Sequence, residues 1–217
     1  MMEGWKEYRL GDLIEINSES IGRNYKFKEI NYFDISSVKS GYVEKIDTID
    51  LKNAPSRAKR IVRKKDTILS TVRPRNRSFF YFKEAKENDI VSTGFAVLRP
   101  KQKLIDNIYL YYLVTDYSFT GYLASNEKGA AYPAVTTDII ERAKVHLPPL
   151  PIQRKIAKIL SGYDDLIENN LKRIRLLEEM AQITYDEWFV RMKFPGYEDT
   201  VFDEETGLPE GWERVKL

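Results

Sequence analysis

Leu147-Pro148-Pro149-Leu150-Pro151-Ile152-Gln153-Arg154-Lys155-Ile156-Ala157 divides the chain into two kinds of sequence. Three prolines in four residues stop whatever precedes them, and Pro151 suits the first turn of a following helix. From Ile152 to about Lys193 there is no further proline and a single glycine, Gly162. Ile156 opens an apolar seam whose spacing alternates four and three. Leu160, Ile167, Ile174, Ala181 and Trp188 fall at heptad a, and Tyr163, Asn170, Leu177 and Thr184 at d. Leu166, Leu171, Leu176 and Met180 widen the stripe. As one helix these 42 residues extend about 63 Å. A stripe that long outruns a 150-residue domain and requires a helical partner. Two shorter helices folding back at Gly162 are the alternative; a helical glycine costs only about 1 kcal/mol, which favours one helix.

Upstream, residues 1–147 read as short strands with two short helices. Thr67–Val72 and Ser78–Phe82 are β-branched or aromatic runs flanking a turn, Arg73-Pro74-Arg75-Asn76-Arg77. Ile90–Val91 and Gly94–Leu98 read as further strands, the latter stopped at Pro100. Ile105–Tyr117 carries apolar residues at a helical period. Thr136 or Thr137 suits the N-cap of a short helix through Arg142, with Glu141 near the capping-box position. Lys144–Leu147 reads as a closing strand. The expected class is α+β: a mixed globular domain of short strands over 1–150, then a long coiled-coil-forming helix over 151–193.

Downstream of Phe194-Pro195-Gly196 an acidic, turn-rich stretch reads as a linker. Glu210-Gly211-Trp212-Glu213-Arg214-Val215-Lys216-Leu217 then copies Glu3-Gly4-Trp5-Lys6-Glu7-Tyr8-Arg9-Leu10, with four of eight positions identical at a constant offset of 207. Residues 194–217 are therefore expected to be a linker plus the start of a second, incomplete copy of the first domain.

Composition narrows the function. The 217 residues carry a net charge of +2, no cysteine and one histidine, His146. Thiolate chemistry and Cys- or His-cluster metal sites are excluded. No apolar run approaches the roughly 20 residues of a membrane span, and the N-terminus lacks signal-peptide character, so a cytoplasmic protein with no membrane partner is expected. The near-neutral total hides an asymmetry: residues 1–151 carry +6, 152–193 +1 and 194–217 −5. Lys52 to Arg77 holds ten basic residues against Asp66 alone. A charge run is usually only a solvated face, but the aromatics Phe79–Phe82 that follow suit a phosphate-backbone binder. His146, in an apolar strand beside prolines, reads as a structural histidine. Asp164 and Asp165 read as solvated helix charges. The strings Leu147–Leu150 and the glycines supply neither an amino-methyltransferase signature nor a phosphate loop.

Several strings together resemble the DNA-specificity subunits of type I restriction–modification enzymes. Gly4-Trp5 with Leu10-Gly11-Asp12 is similar to the opening of their target recognition domain. Asp66–Pro74 and Ser92–Pro100 are similar to its internal strands. Leu147–Ala157 marks entry to the conserved helix, which Asp164–Asn170 and Glu187–Val190 continue. The resemblance implies a non-catalytic subunit without a cofactor. It implies double-stranded DNA, N6-adenine methyltransferase subunits and a restriction motor–nuclease subunit as partners. Such subunits carry two recognition domains held apart by two antiparallel helices; this sequence carries one of each.

Base reading requires forked or amide donors on a shape that reaches a groove. Arg73, Arg75, Asn76 and Arg77 on the strand-connecting turn are the leading candidates, with Pro74 stiffening it, although Arg73 also belongs to a framework string. Arg57, Lys59 and Arg60 read as phosphate contacts. Tyr25, Lys26 and Lys28 form a second basic–aromatic loop, and Lys128 with Tyr132 a third. For each, a surface charge or a core tyrosine is the plainer role. The lone helix predicts an antiparallel two-fold homodimer through 152–193, with Asn170 close to its own symmetry mate near the segment midpoint. Such a dimer reads an inverted repeat. A coiled-coil adaptor with a protein-binding head explains the helix equally well but not the basic run or the partial repeat. A solo nuclease lacks an acidic metal cluster in the sequence.

Overall fold

The computed structural model describes residues 4–22, 24–101, 103–129, 133–213 and 215. The chain forms two compact units, Met1–Ser161 and Gly162–Leu217. The first begins with β1 (Lys6–Arg9), α1 (Leu10–Leu13), β2 (Ile14–Ile16), β3 (Glu29–Phe33), β4 (Asp47–Asp50) and β5 (Ala58–Ile61). It continues with β6 (Thr67–Ser70), β7 (Phe79–Tyr81), β8 (Asp89–Ser92), β9 (Phe95–Pro100), α2 (Asn107–Thr115), α3 (Tyr117–Ser125), α4 (Thr137–Arg142) and β10 (Lys144–Leu147). α5 (Leu150–Tyr185) starts in this unit. The class is α+β with a long C-terminal helix.

One sheet has the order β2-β9-β6-β7, antiparallel throughout. A second has the order β4-β3-β8-β5, with β3 and β8 parallel. The period-2 alternation of strand side chains sorts the core into layers. In β6 and β9, Leu69, Ala96 and Leu98 face a cluster built with Tyr109, Leu110, Val114, Phe119, Leu123 and Ile140 of the helices. Ile68, Phe95 and Val97 face the other way, onto Phe33, Val62, Phe82 and Val91 between the sheets. Ile30, Tyr32, Ile61 and Ile90 cluster on the other face of the second sheet, with Ile21, Tyr25, Leu51 and Ala54 packed on them. Strands buried on both faces read as unbroken apolar runs, which is why TILS and FAVL were legible.

The helix expected over Ile105–Tyr117 is α2, and a further helix, α3, follows it at once. The Asp116 carboxylate accepts the Ser118 N–H at 2.8 Å and restarts the chain as α3. α4 begins where expected, after Thr136, but without a side-chain cap. The capping box is absent because the third helical residue is Ile139, and Glu141 lies beyond reach. β10 pairs with β1, closing the unit. Alternation turns Val145 and Leu147 inward, and His146 is half-exposed on the opposite face of β10, 3.6 Å from Glu7 of β1.

The proline boundary is fixed by Gln153, only 2% exposed. Its Nε2 donates to the Pro148 carbonyl at 2.9 Å, and its Oε1 accepts the Asp106 N–H at 2.9 Å. Ala157 is buried and Ile156 half-buried against the same core, so Ile156 serves the first unit rather than a free seam. Gly162 does not break α5.

Within the second unit Tyr163, Ile167, Ile174 and Leu177 are each at least half exposed. The heptad frame ends at Tyr185, short of the expected Lys193. Asp186–Val190 is a π turn, with the Arg191 N–H on the Asp186 carbonyl at 2.8 Å. Trp188 therefore lies outside the seam's phase. The acidic stretch is folded: Asp203 caps a turn through the Glu205 and Thr206 N–H groups, and Leu208 is buried. Trp212 stacks on Phe194, with centroids 5.3 Å apart. Gly211 and Gly4 both adopt a left-handed conformation, at φ +86° and +85°. Glu3, Arg214, Lys216 and Leu217 of the repeated octets lie outside the described residues.

Gln153→Ala leaves a buried N–H and a buried carbonyl unpaired, so we expect a loss of about 2–4 kcal/mol in urea unfolding. A change within about 0.5 kcal/mol would show that the junction rests on packing alone.

Candidate nucleic-acid interface

Strand direction brings several loops to one end of the first unit. β3 and β8 run parallel and finish together, beside the start of β5. β6 finishes beside the starts of β9 and β7. Thr93-Gly94 joins the two sheets there. The Thr93 N–H donates to the Arg57 carbonyl, and the Thr71 N–H to the Gly94 carbonyl, both at 2.8 Å. The Val135 N–H donates to Thr71 and the Arg73 N–H to Pro133, again at 2.8 Å. Ser40 Oγ donates to the Arg77 carbonyl at 2.9 Å. Residues 34–46, 71–78, 93–94 and the described parts of 126–136 thus form one hydrogen-bonded rim.

The Arg73–Arg77 loop is the most constrained part of that rim. Arg73 and Arg77 both sit in the left-handed region, at φ 46° and 53°, around a 3-10 turn over Pro74–Asn76. Left-handed backbone costs a non-glycine residue about 1–2 kcal/mol, so the surroundings must hold it. Buried Pro74 is one restraint and Arg77 the other. The Arg77 guanidinium donates to Thr115 O at 2.9 Å and Thr120 Oγ1 at 3.0 Å. It lies 3.9 Å from the Tyr117 ring centroid and 5.3 Å from that of Phe79. Arg77, expected among the base readers, has its donors directed into the fold and anchors the loop. Arg73, Arg75 and Asn76 remain exposed; Arg75 Nε is 3.8 Å from Glu127. A pair 3.8 Å apart whose arginine stands in solvent contributes little and exchanges readily for a phosphate.

The remaining candidates separate. Lys128 joins the rim through paired backbone bonds with Ala134 at 2.9 and 3.0 Å. Tyr132 lies outside the described residues. Arg57 reaches the rim and pairs with Asp34 at 2.5 Å. Lys59 is exposed on β5. Arg60 turns inward: its Nη1 is buried with no hydrogen-bond partner among the described residues, and burial works against its charge. That placement does not suit the phosphate contact expected of it. Tyr25, Lys26 and Lys28 lie at the opposite end of the second sheet, before β3. There the Tyr25 hydroxyl donates to the Glu87 carbonyl at 2.9 Å and Lys26 pairs with Glu87. Lys28 is exposed.

The basic run 52–77 is therefore not one patch. Arg63 pairs with Glu19 at 2.6 Å. Arg99 bridges Glu19 at 2.6 Å and the buried Asp66 at 2.8 Å. The Arg63 hydrogen bond, with Arg99 adding to it, holds the Glu19 carboxyl below its usual range. Sequence reasoning missed the rim's acidic partners, Asp34 and Glu127, and its exposed apolar residues, Tyr42, Ile46 and Tyr117. No local motif signals them, because the sheet crossing alone gathers them.

Arg77→Ala removes two hydrogen bonds and two ring contacts while leaving a strained loop, so we expect about 1–3 kcal/mol of destabilisation. Arg75→Ala should stay within about 0.5 kcal/mol. Urea melts of both variants check this; equal effects would contradict the anchoring role.

Residues 2–179 match the family described as Type I restriction modification DNA specificity domain. The chain is 28% identical over 194 residues to the HindI specificity subunit of Haemophilus influenzae, covering 87% of this chain and 41% of that protein. It is 30% identical over 215 residues to the MjaIX specificity subunit of Methanocaldococcus jannaschii, covering 98% and 45%. The structure superposes on the HsdS subunit of Thermoanaerobacter tengcongensis with a TM-score of 0.64 and 28% identity, covering 98% of this chain and 53% of that one. The chain thus spans about half the length of these relatives. The match over residues 2–179 spans most of the chain, and this chain belongs to the type I restriction–modification DNA-specificity family.

Proposed function

We propose that this chain is the sequence-reading part of a type I restriction–modification system, without catalytic activity of its own. The observation that carries the reading is the rim: a rigid loop presenting Arg73, Arg75 and Asn76, in a chain of this family. Exposed rim cations supply sequence-independent affinity through phosphates, and the fixed loop supplies direction for base edges. The chemistry then belongs to N6-adenine methyltransferase subunits and a restriction motor–nuclease subunit, in the cytoplasm. A protein-binding adaptor leaves the strained arginine loop without a purpose. In the presence of methyltransferase subunits, we expect duplex affinity to fall by orders of magnitude between about 50 and 200 mM salt. Salt-independent binding would count against the reading.

The second unit supports an assembly role. Its seam, Tyr163, Ile167, Asn170, Ile174, Leu177 and Ala181, is exposed, and Leu166, Leu171, Leu176 and Met180 extend the apolar surface beyond it. Burying one such leucine or isoleucine contributes about 1.5–3 kcal/mol. A stripe wider than a single seam suits two neighbours: a second copy of the helix, antiparallel across Asn170, and a methyltransferase subunit. The paired heads would then read an inverted repeat with a spacer. Sedimentation should show a dimer at micromolar concentration, and a monomer there would sink the pairing.

A further inference from the structure

Arg57 differs from the other rim arginines in what lies behind it. Its Nη2 donates to Asp34 Oδ2 at 2.5 Å, and the Tyr32 phenol and Asp34 together favour its charged form. Asp34 is itself fixed. Its Oδ1 accepts the Ser36 N–H at 3.3 Å, and its Oδ2 accepts the Tyr32 hydroxyl at 3.3 Å. Asp34 is 18% exposed at its side chain and Arg57 55%, so the carboxylate sits behind and the fork opens outward. The Arg57 carbonyl takes the Thr93 N–H, which ties its backbone to the turn leading to Thr71 and the Arg73 loop.

Phosphate and base contacts ask for different things. A phosphate contact needs net positive charge and tolerates a mobile side chain. A carboxylate at 2.5 Å subtracts from that charge. A base contact needs an aimed fork, because guanine offers O6 and N7 to one arginine in one plane. A side chain held from behind loses less freedom on binding. Arg77 has spent its donors on Thr115 and Thr120, and the Arg75 contact to Glu127 at 3.8 Å is too long to aim it.

Resting on the DNA-reading role above, we propose that Arg57 is a specificity-determining residue that reads a guanine edge, with Asp34 and Tyr32 as its positioning residues. This takes Arg57 out of the phosphate-contact class to which its sequence neighbourhood assigned it.

The test is selection from a duplex pool with randomised positions, using the full chain assembled with its methyltransferase subunits. Arg57→Ala should lower discrimination at one G·C position per half-site by about tenfold or more, leaving the other positions unchanged. Asp34→Asn should lower discrimination at that same position, although it removes a negative charge from the rim. Here the two roles predict opposite signs: for a phosphate contact, Asp34→Asn raises affinity for all sequences and leaves the motif intact. Uniform weakening by Arg57→Ala with an unchanged motif overturns the assignment. Should Arg57→Ala melt early, Arg57→Lys keeps the charge and loses the fork, and an intact motif in that variant overturns the assignment equally. A wild-type assembly that selects no sequence at all overturns the DNA-reading role itself, a result distinct from a motif that survives substitution.

Discussion

The burial of β6 and β9 on both faces is the constraint on which the first unit depends. Ile68 and Leu69 are adjacent in sequence and lie in different cores, as do Ala96 and Val97. Neither face of these strands can carry polar function. In these two strands the polar residues, Thr67, Ser70 and Arg99, stand at or next to the ends. Because the link from β8 to β9 is only Thr93-Gly94, the ends of six strands, β3, β5, β6, β7, β8 and β9, meet at one place. The rim follows from how the core is layered, and its rigidity from hydrogen bonds that cross between turns.

Electrostatics then distinguishes arginines that composition counts as equal. Arg99 and Arg63 neutralise Glu19 and the buried Asp66. Arg77 is bound to a carbonyl, a hydroxyl and two rings. Arg60 is turned inward. Among the sequence candidates, those open to a partner at the rim are Arg73, Arg75 and Asn76 on the strained loop, Lys128 beside it, and Arg57 on its carboxylate support. Surface pairs such as Arg75 with Glu127 cost little to break.

Much of the fold was legible because strong local rules governed it. The start of α5 at Leu150, its uninterrupted course through Gly162 and the strands at Thr67, Phe95 and Lys144 follow from proline chemistry, periodicity and β-branching. The misses have equally local causes. Asp116 caps a helix beyond Thr115, α3, that the apolar period of α2 did not announce, and the π turn at Asp186 removes Trp188 from the heptad phase. The candidate site was less legible. A linear basic run predicts a patch only if the chain does not turn within it, and β5 and β6 run between its members. Tyr25 and Lys26 looked like a binding loop but satisfy themselves on Glu87. Asp34 could not be found from sequence, because its significance lies in a contact 23 residues away.

The central claim is that the Arg73–Asn76 loop of the rim reads DNA sequence. The most direct measurement is the methylated motif in cells carrying the methyltransferase with either the wild-type chain or a combined Arg73→Ala, Arg75→Ala, Asn76→Ala variant. A motif relaxed at one or two adjacent positions, and preserved elsewhere, is the predicted result. An identical motif from a variant that is folded and supports methylation would contradict it.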